Sequence, residues 1–201
     1  MKDIPDGSIN PAAMNEPVME FLLTRRSRPA KTLVAPAPDR AALMPILTAA
    51  LRVPDHGKLE PWRLVVLERA ALDRLAAKAA AHAKASGMPE ESAAKGIAQF
   101  ADSPAAVAVI LVPRTTMKVP EIEQILSAGA VCLSLVNAAL ASGWGACWLT
   151  GWPAHDRGFA SEALGLGDGE WVAGFVHIGT EGVPPPERQR PDLAKLVTWA
   201  G

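Results

Sequence analysis

The chain has 201 residues, of which 49% are hydrophobic and 20% charged, with a formal net charge of −1. That length and balance describe one globular domain with a sizeable core. The near-zero charge argues against a nucleic-acid or membrane-surface protein, which would carry a clear basic excess.

Residues 1–16 hold Asp3, Asp6, Pro5 and Pro11 without an apolar centre. They read as a flexible N-terminal arm and not as a signal peptide, and residues 17–201 form the single domain. Pro17 suits the first position of a helix running to Arg26, with an apolar stripe of Val18, Phe21 and Leu22. Asp39 caps a second helix reaching about Arg52, in which Pro45 is expected to cause a kink or a later start. Trp62–Glu68 reads as a strand, 70–86 as an Ala-rich helix, and 90–100 as another helix after the Gly87-Met88-Pro89 break.

Residues 104–113 contain Ala-Val-Ala-Val-Ile-Leu-Val, a buried strand, and 120–142 form the longest helix. Its second half has almost no polar face and is expected in a core or a dimer interface. Residues 143–151 read as a strand or extended turn, 153–164 as one short helix, and 171–179 as a strand. A proline-rich stretch and a short final segment follow. No apolar run reaches the ~18 residues of a membrane span. The irregular interleaving of helices and strands predicts one α+β domain and not regular βαβ winding.

The loop 52–63 is polar, with Arg52, Asp55, His56, Lys58 and Glu60 between Pro54 and Pro61, and reads as a place where a ligand is met. Two other basic clusters, Arg25-Arg26-Ser27-Arg28 and Arg188 with Arg190, lie far from it in sequence. Singly, each also reads as a solvated or helix-terminal cluster. Together, guanidinium forks beside a hydroxyl suit an anionic, phosphate-bearing ligand. No P-loop or Rossmann glycine pattern is present. Cys132 and Cys147 read as buried free thiols of a cytoplasmic protein. His82 reads as a surface residue and His177 as a satisfied core histidine, without metal-ligand spacing. Glu121 and Glu123 open a helix, where acids favour its dipole. With no evident nucleophile, the pattern points to a bound organic cofactor as the reactive part.

Four segments stand out in chain order: Arg25-Arg26-Ser27; Arg52-x-Pro54-Asp55-His56 with Pro61-Trp62-Arg63; Lys118-Val119-Pro120-Glu121-x-Glu123-Gln124-x-x-Ser127-Ala128-Gly129; and Gly143-x-Gly145-x-x-Trp148-x-Thr150-Gly151. Taken in that order they resemble the nitroreductase family. The resemblance spans residues 18–199 and is nearest to the short bacterial NAD(P)H nitroreductase branch. It implies an α+β fold with a mainly antiparallel central sheet flanked by helices, in an intertwined homodimer with FMN at the subunit interface. It implies that Arg25, Arg26 and Ser27 hold the FMN phosphate and ribityl, that Trp148, Leu149 and Thr150 lie beside the flavin, and that Arg52 and His56 reach it from the other subunit. An arginine of the pair Arg188 and Arg190 would meet the phosphate.

Two positions depart from the family pattern: Leu149 stands where relatives often carry a polar residue, and Pro29 where larger relatives carry lysine. The implied activity is hydride transfer from NAD(P)H through flavin N5 to a nitroaromatic, quinone or similar small-molecule acceptor, by a ping-pong mechanism. A guanidinium of Arg52 or Arg26 near the flavin pyrimidine would stabilise its reduced form. The alternatives are a flavin-fragmenting or dehalogenating relative of the same fold, or a non-catalytic flavin-binding or interaction dimer.

Overall fold

The computed structural model describes residues 8, 9 and 11–201. Of the arm expected over residues 1–16, residues 1–7 and 10 lie outside the described residues. The helices are α1 (Glu16–Thr24), α2 (Arg40–Ala50), α3 (Arg69–Ala85), α4 (Glu90–Ala101), α5 (Glu121–Ala141), α6 (Trp152–His155), α7 (Arg157–Leu164) and α8 (Leu193–Leu196). The strands are β1 (Leu33–Val34), β2 (Trp62–Leu67), β3 (Ala105–Leu111), β4 (Gly145–Leu149) and β5 (Trp171–Glu181).

β5 organises the sheet. It is buried almost end to end, as a strand covered on both faces must be, and its Val and Ile residues suit that place. β3 pairs along one edge of β5, and β2 pairs with β3. The other edge of β5 takes β4 against residues 175–179 and β1 against residues 180–181, end to end. Every pairing is antiparallel.

Alternation along β3 divides the core. Val107, Val109 and Leu111 face α2 and α5 and meet Leu43, Ile46, Val131 and Leu135. Ala106, Ala108 and Ile110 face the opposite layer and meet Leu72, Phe100, Phe159 and Phe175. Register shifts between Val109 and Ile110: Ile110 pairs with Val172 and Val109 with Gly174, which leaves Ala173 as the extra residue of a β-bulge on β5.

Most helix and strand assignments agree with the pattern reading, with four differences. The helix expected over 153–164 is two helices, because Asp156 leaves the helical conformation and its side chain accepts from Phe159 N to start α7. Pro45 does not delay the start of α2, which begins at Arg40 on its Asp39 cap and keeps Pro45 inside the helix to Ala50. β1 and α8 were not anticipated. Finally, α5 is long and apolar enough to cross a bilayer by length and composition, contrary to the expectation that no such run exists. Its place is nevertheless that of a core helix, with Ala128, Val131, Cys132, Leu135 and Val136 packed against the sheet and α2.

Candidate functional site

The first basic cluster forms a corner. The chain leaves α1 at Thr24 and turns extended at Arg25. Arg28 N then donates to Ala146 O at 2.8 Å, which pins this segment to β4. Arg25 donates to Ser27 Oγ at 2.9 Å, Arg28 donates to the Arg26 carbonyl at 2.9 Å, and Arg28 also pairs with Glu181 at the end of β5.

From the far end of the chain, Arg190 reaches the same corner. It donates to the Leu23 carbonyl at 3.3 Å and lies 3.1 Å from Glu187. Burial first, then the like charges of Arg190, Arg26 and Arg28, push the Arg25 pKa down from its ordinary value. The Nε groups of Arg25 and Arg26 are buried without a hydrogen-bond partner among the described residues. Unfilled guanidinium donors among crowded positive charges are costly, and an anion with several acceptor oxygens relieves both costs. A phosphate group fits this donor set. Of the two C-terminal candidates, Arg190 belongs to the corner; the Arg188 backbone N–H bonds the Glu187 carboxylate and its side chain is exposed.

The loop 52–63 is more rigid and less available than its composition indicates. Asp55 accepts from Leu59 N at 3.1 Å and Glu60 N at 2.8 Å. These bonds hold a turn with positive φ at Gly57, Lys58 and Glu60. Arg114 donates to the carbonyls of Leu59 and Glu60. Ser127 of α5 donates to the Pro54 carbonyl at 2.8 Å and receives the Trp62 indole N–H at 3.1 Å. Asp55 is thus occupied by the loop's own backbone and is not free for a ligand.

His56 Nδ1 lies 2.7 Å from Glu123, so that acid does more than complement the helix dipole. The Arg52 side chain is exposed and has no partner among the described residues. Neither Arg52 nor His56 is joined by a hydrogen bond or ion pair to the arginine corner or to Trp148–Thr150 within one chain.

The third segment is the exit of β4. Trp148 donates its indole N–H to the carbonyl of Ala173, the bulged residue of β5, at 3.2 Å. A β-carbon on the adjacent Gly174 would stand 1.9 Å from the indole nitrogen, so glycine there is a condition of the Trp148 position. Trp148, Leu149 and Thr150 line one side of a cavity of about 560 Å³, facing Ser92, Lys95 and Gln99 of α4. Trp152 closes one wall. Its indole N–H bonds Ser92 O at 3.0 Å, and a β-carbon on Gly96 would stand 2.0 Å from it.

Two histidine expectations need correction. His82 is not a simple surface residue: it lies 2.8 Å from Asp156 and stacks on Trp152 at 5.7 Å between ring centroids. His177 is only half satisfied. Ser103 donates its hydroxyl to Ala105 O, so the His177 Nδ1–H donates to Ser103 Oγ at 2.9 Å. Nε2 has no partner, and burial lowers the pKa to about 4. Cys132 and Cys147 are buried free thiols, pushed up to about 12 and about 11 by desolvation. The reading of residues alone passed over Lys95, Gln99 and Trp152, which no local motif marks.

A sequence model of the nitroreductase family matches residues 22–180. The Escherichia coli K12 protein named "Putative NAD(P)H nitroreductase YdjA" is 32% identical over 162 residues, covering 81% of this chain and 87% of that protein. A Haemophilus influenzae protein with the same family name is 35% identical over 172 residues, covering 85% and 91%. Among solved structures, a nitroreductase-like protein from Bacillus cereus superposes with a TM-score of 0.73 at 21% identity, covering 96% of this chain and 99% of that one. A Desulfovibrio desulfuricans structure described as a nitroreductase in complex with FMN gives a TM-score of 0.71 at 21% identity, covering 94% and 99%.

Proposed function

We propose that this chain, which belongs to the nitroreductase family, is an FMN-dependent oxidoreductase that passes electrons from NAD(P)H to a nitroaromatic, quinone or similar acceptor. One observation carries the reading: Arg25 and Arg26 hold buried, unpartnered donors in a corner where Arg190 also converges, a set shaped for a phosphate group. FMN, when bound, supplies reversible hydride acceptance at N5, so that reductant and acceptor use one slot in turn, a ping-pong sequence.

The residues of this chain bind and orient. Arg25, Arg26, Ser27 and Arg190 hold the phosphate. The backbone of Trp148, Leu149 and Thr150 lies along the ring, which suits the apolar Leu149 side chain. Arg52 and His56 come from a second copy of the chain, and the free Arg52 guanidinium stabilises negative charge gained on reduction.

A homodimer is supported by apolar surface left open in one chain. Among the described residues α1 buries none, and Val18, Met19, Leu22 and Leu23 are exposed. Ile122, Leu126 and Leu133 form an exposed stripe on α5 at helical spacing. Two free buried thiols accord with a cytoplasmic location.

The test is an absorbance spectrum of the purified protein followed by anaerobic titration with NADH and NADPH. A yellow protein bleached by one of them and reoxidised by a nitroarene or quinone is expected. Arg25→Ala should weaken FMN binding about 10- to 100-fold, the worth of a charge-assisted hydrogen bond. A protein that neither binds FMN nor is stabilised to heat by it refutes the proposal.

A further inference from the structure

The cavity between α4 and the exit of β4 contains a group that the phosphate corner does not explain. Gln99 is 9% exposed, and its Oε1 has no hydrogen-bond partner. The other end of the carboxamide, Nε2, lies 3.9 Å from where a β-carbon of Gly151 would stand. Gln99 also lines a second cavity of about 320 Å³, and Lys95 and Leu149 border both spaces. A buried carboxamide oxygen without a partner costs stability. The last torsion of glutamine is soft, so the carboxamide can turn either edge to the cavity.

The surroundings narrow what the group recognises. Trp152 is a rigid aromatic wall. It is stacked on His82 with an interplanar angle of 12°, packed edge-on against Phe159, and bonded to Ser92 O. Trp148, fixed by the bulge carbonyl, borders the same cavity. Aromatic walls favour a planar ring. A carboxamide offers a donor and an acceptor side by side, and its in-plane complement is another N–H beside a C=O. The volume of about 560 Å³ suits a small-molecule ring system.

We propose that Gln99 is a specificity residue that pairs with the amide edge of a planar ring held beside Trp148 and Trp152. Two molecules of the proposed reaction carry that edge: the flavin through its pyrimidine-like end, and the reductant through its nicotinamide carboxamide. This inference rests on the proposed function for the choice between those two sources. Lys95 stands at the cavity wall, tied only to Glu91 by an exposed i,i+4 pair, and remains available to an anionic part of the same ligand.

The test is Gln99→Leu, with Gln99→Met as a second apolar replacement. Heat stability of the flavin-free variants should equal or exceed that of the parent protein, because an unpartnered polar group is removed; a merely structural Gln99 would lower it. If the flavin is the source, the FMN Kd measured by fluorescence quenching rises about tenfold. If nicotinamide is the source, the FMN Kd stays within twofold and KM for NADH or NADPH rises about tenfold at unchanged kcat. The proposal is overturned if FMN Kd and both KM values stay within twofold in both variants.

Should the parent protein bind no FMN, the proposed function fails separately. The Gln99 inference is then decided by tryptophan fluorescence on titration with NADH and NADPH. Binding that Gln99→Leu abolishes supports it, and no binding by the parent protein overturns it.

Discussion

The two sides of this molecule are finished to different degrees. On the side of α3, α4 and α7, apolar side chains find partners within the chain: Phe100 is fully buried, edge-on to Phe175 at 5.2 Å and near Phe159 at 6.2 Å. Lys78 and Glu162 pair on the outer surface of that layer, where their contribution is small. On the side of α1, the outer stripe of α5 and the C-terminal segment, residues equally apolar remain in the open. Leu126 is 65% exposed and Trp199 is 92% exposed. Hydrophobic character alone therefore does not tell which helices complete the chain's own core and which leave apolar surface exposed. The difference lies in what the sheet places opposite them.

Three experiments act on that contrast. The largest effect is expected on the closed side, where Phe100→Ala should cost about 3–5 kcal/mol of unfolding free energy in denaturant titrations. A loss below about 1 kcal/mol would mean that this layer is as loosely held as the other.

The next concerns His177, buried within β5 at the centre of the sheet. Its folded pKa of about 4 lies below the ordinary histidine value of 6.5, so on acidification the unfolded chain binds the extra proton first. Its contribution to stability is full above pH 6.5 and is lost as the pH falls towards 4, by an amount of about 3 kcal/mol. His177→Gln should flatten that part of the stability–pH curve, and an unchanged slope would assign the acid sensitivity elsewhere.

The smallest effect on the chain itself belongs to the open side. Leu126→Asp should change the unfolding free energy of the separated chain by no more than about 0.5 kcal/mol. If the proposed dimer forms, light scattering should nevertheless show its mass halved. A parent protein that is already monomeric at micromolar concentration would remove the reason for the contrast.

What could be read from the sequence follows the range of the interactions. The long α5 and the strands β3 and β5 announce themselves by local period and by runs of valine and isoleucine. The break between α6 and α7 had a local signal, an aspartate positioned to cap Phe159 N, but it was hidden in a segment that also reads as continuous helix. β1 has two residues and exists only because β5 offers it residues 180–181. The convergence of Arg190 on Arg25 likewise depends on a return of the chain that no local pattern encodes. The family resemblance pointed to the arginine corner and to Trp148–Thr150, whereas Gln99 looked like any polar residue on a helix. Within the loop 52–63, composition does not separate the roles of its polar residues: Asp55 serves the turn itself, whereas the Arg52 side chain is left exposed.

The bond from Arg28 N to Ala146 O makes β4 a ruler. One end of the strand holds the arginine corner, and the other carries Trp148 into the cavity. An extended strand rises about 3.3 Å per residue, so the three steps from Ala146 to Leu149 set a distance of roughly 10 Å. That distance is stiff, because β4 is paired with β5 throughout. A bare phosphate can satisfy one end and a bare ring the other, but only a ligand with both groups at the right separation engages both together. Under the proposed function, the chain would select its ligand by length as well as by charge.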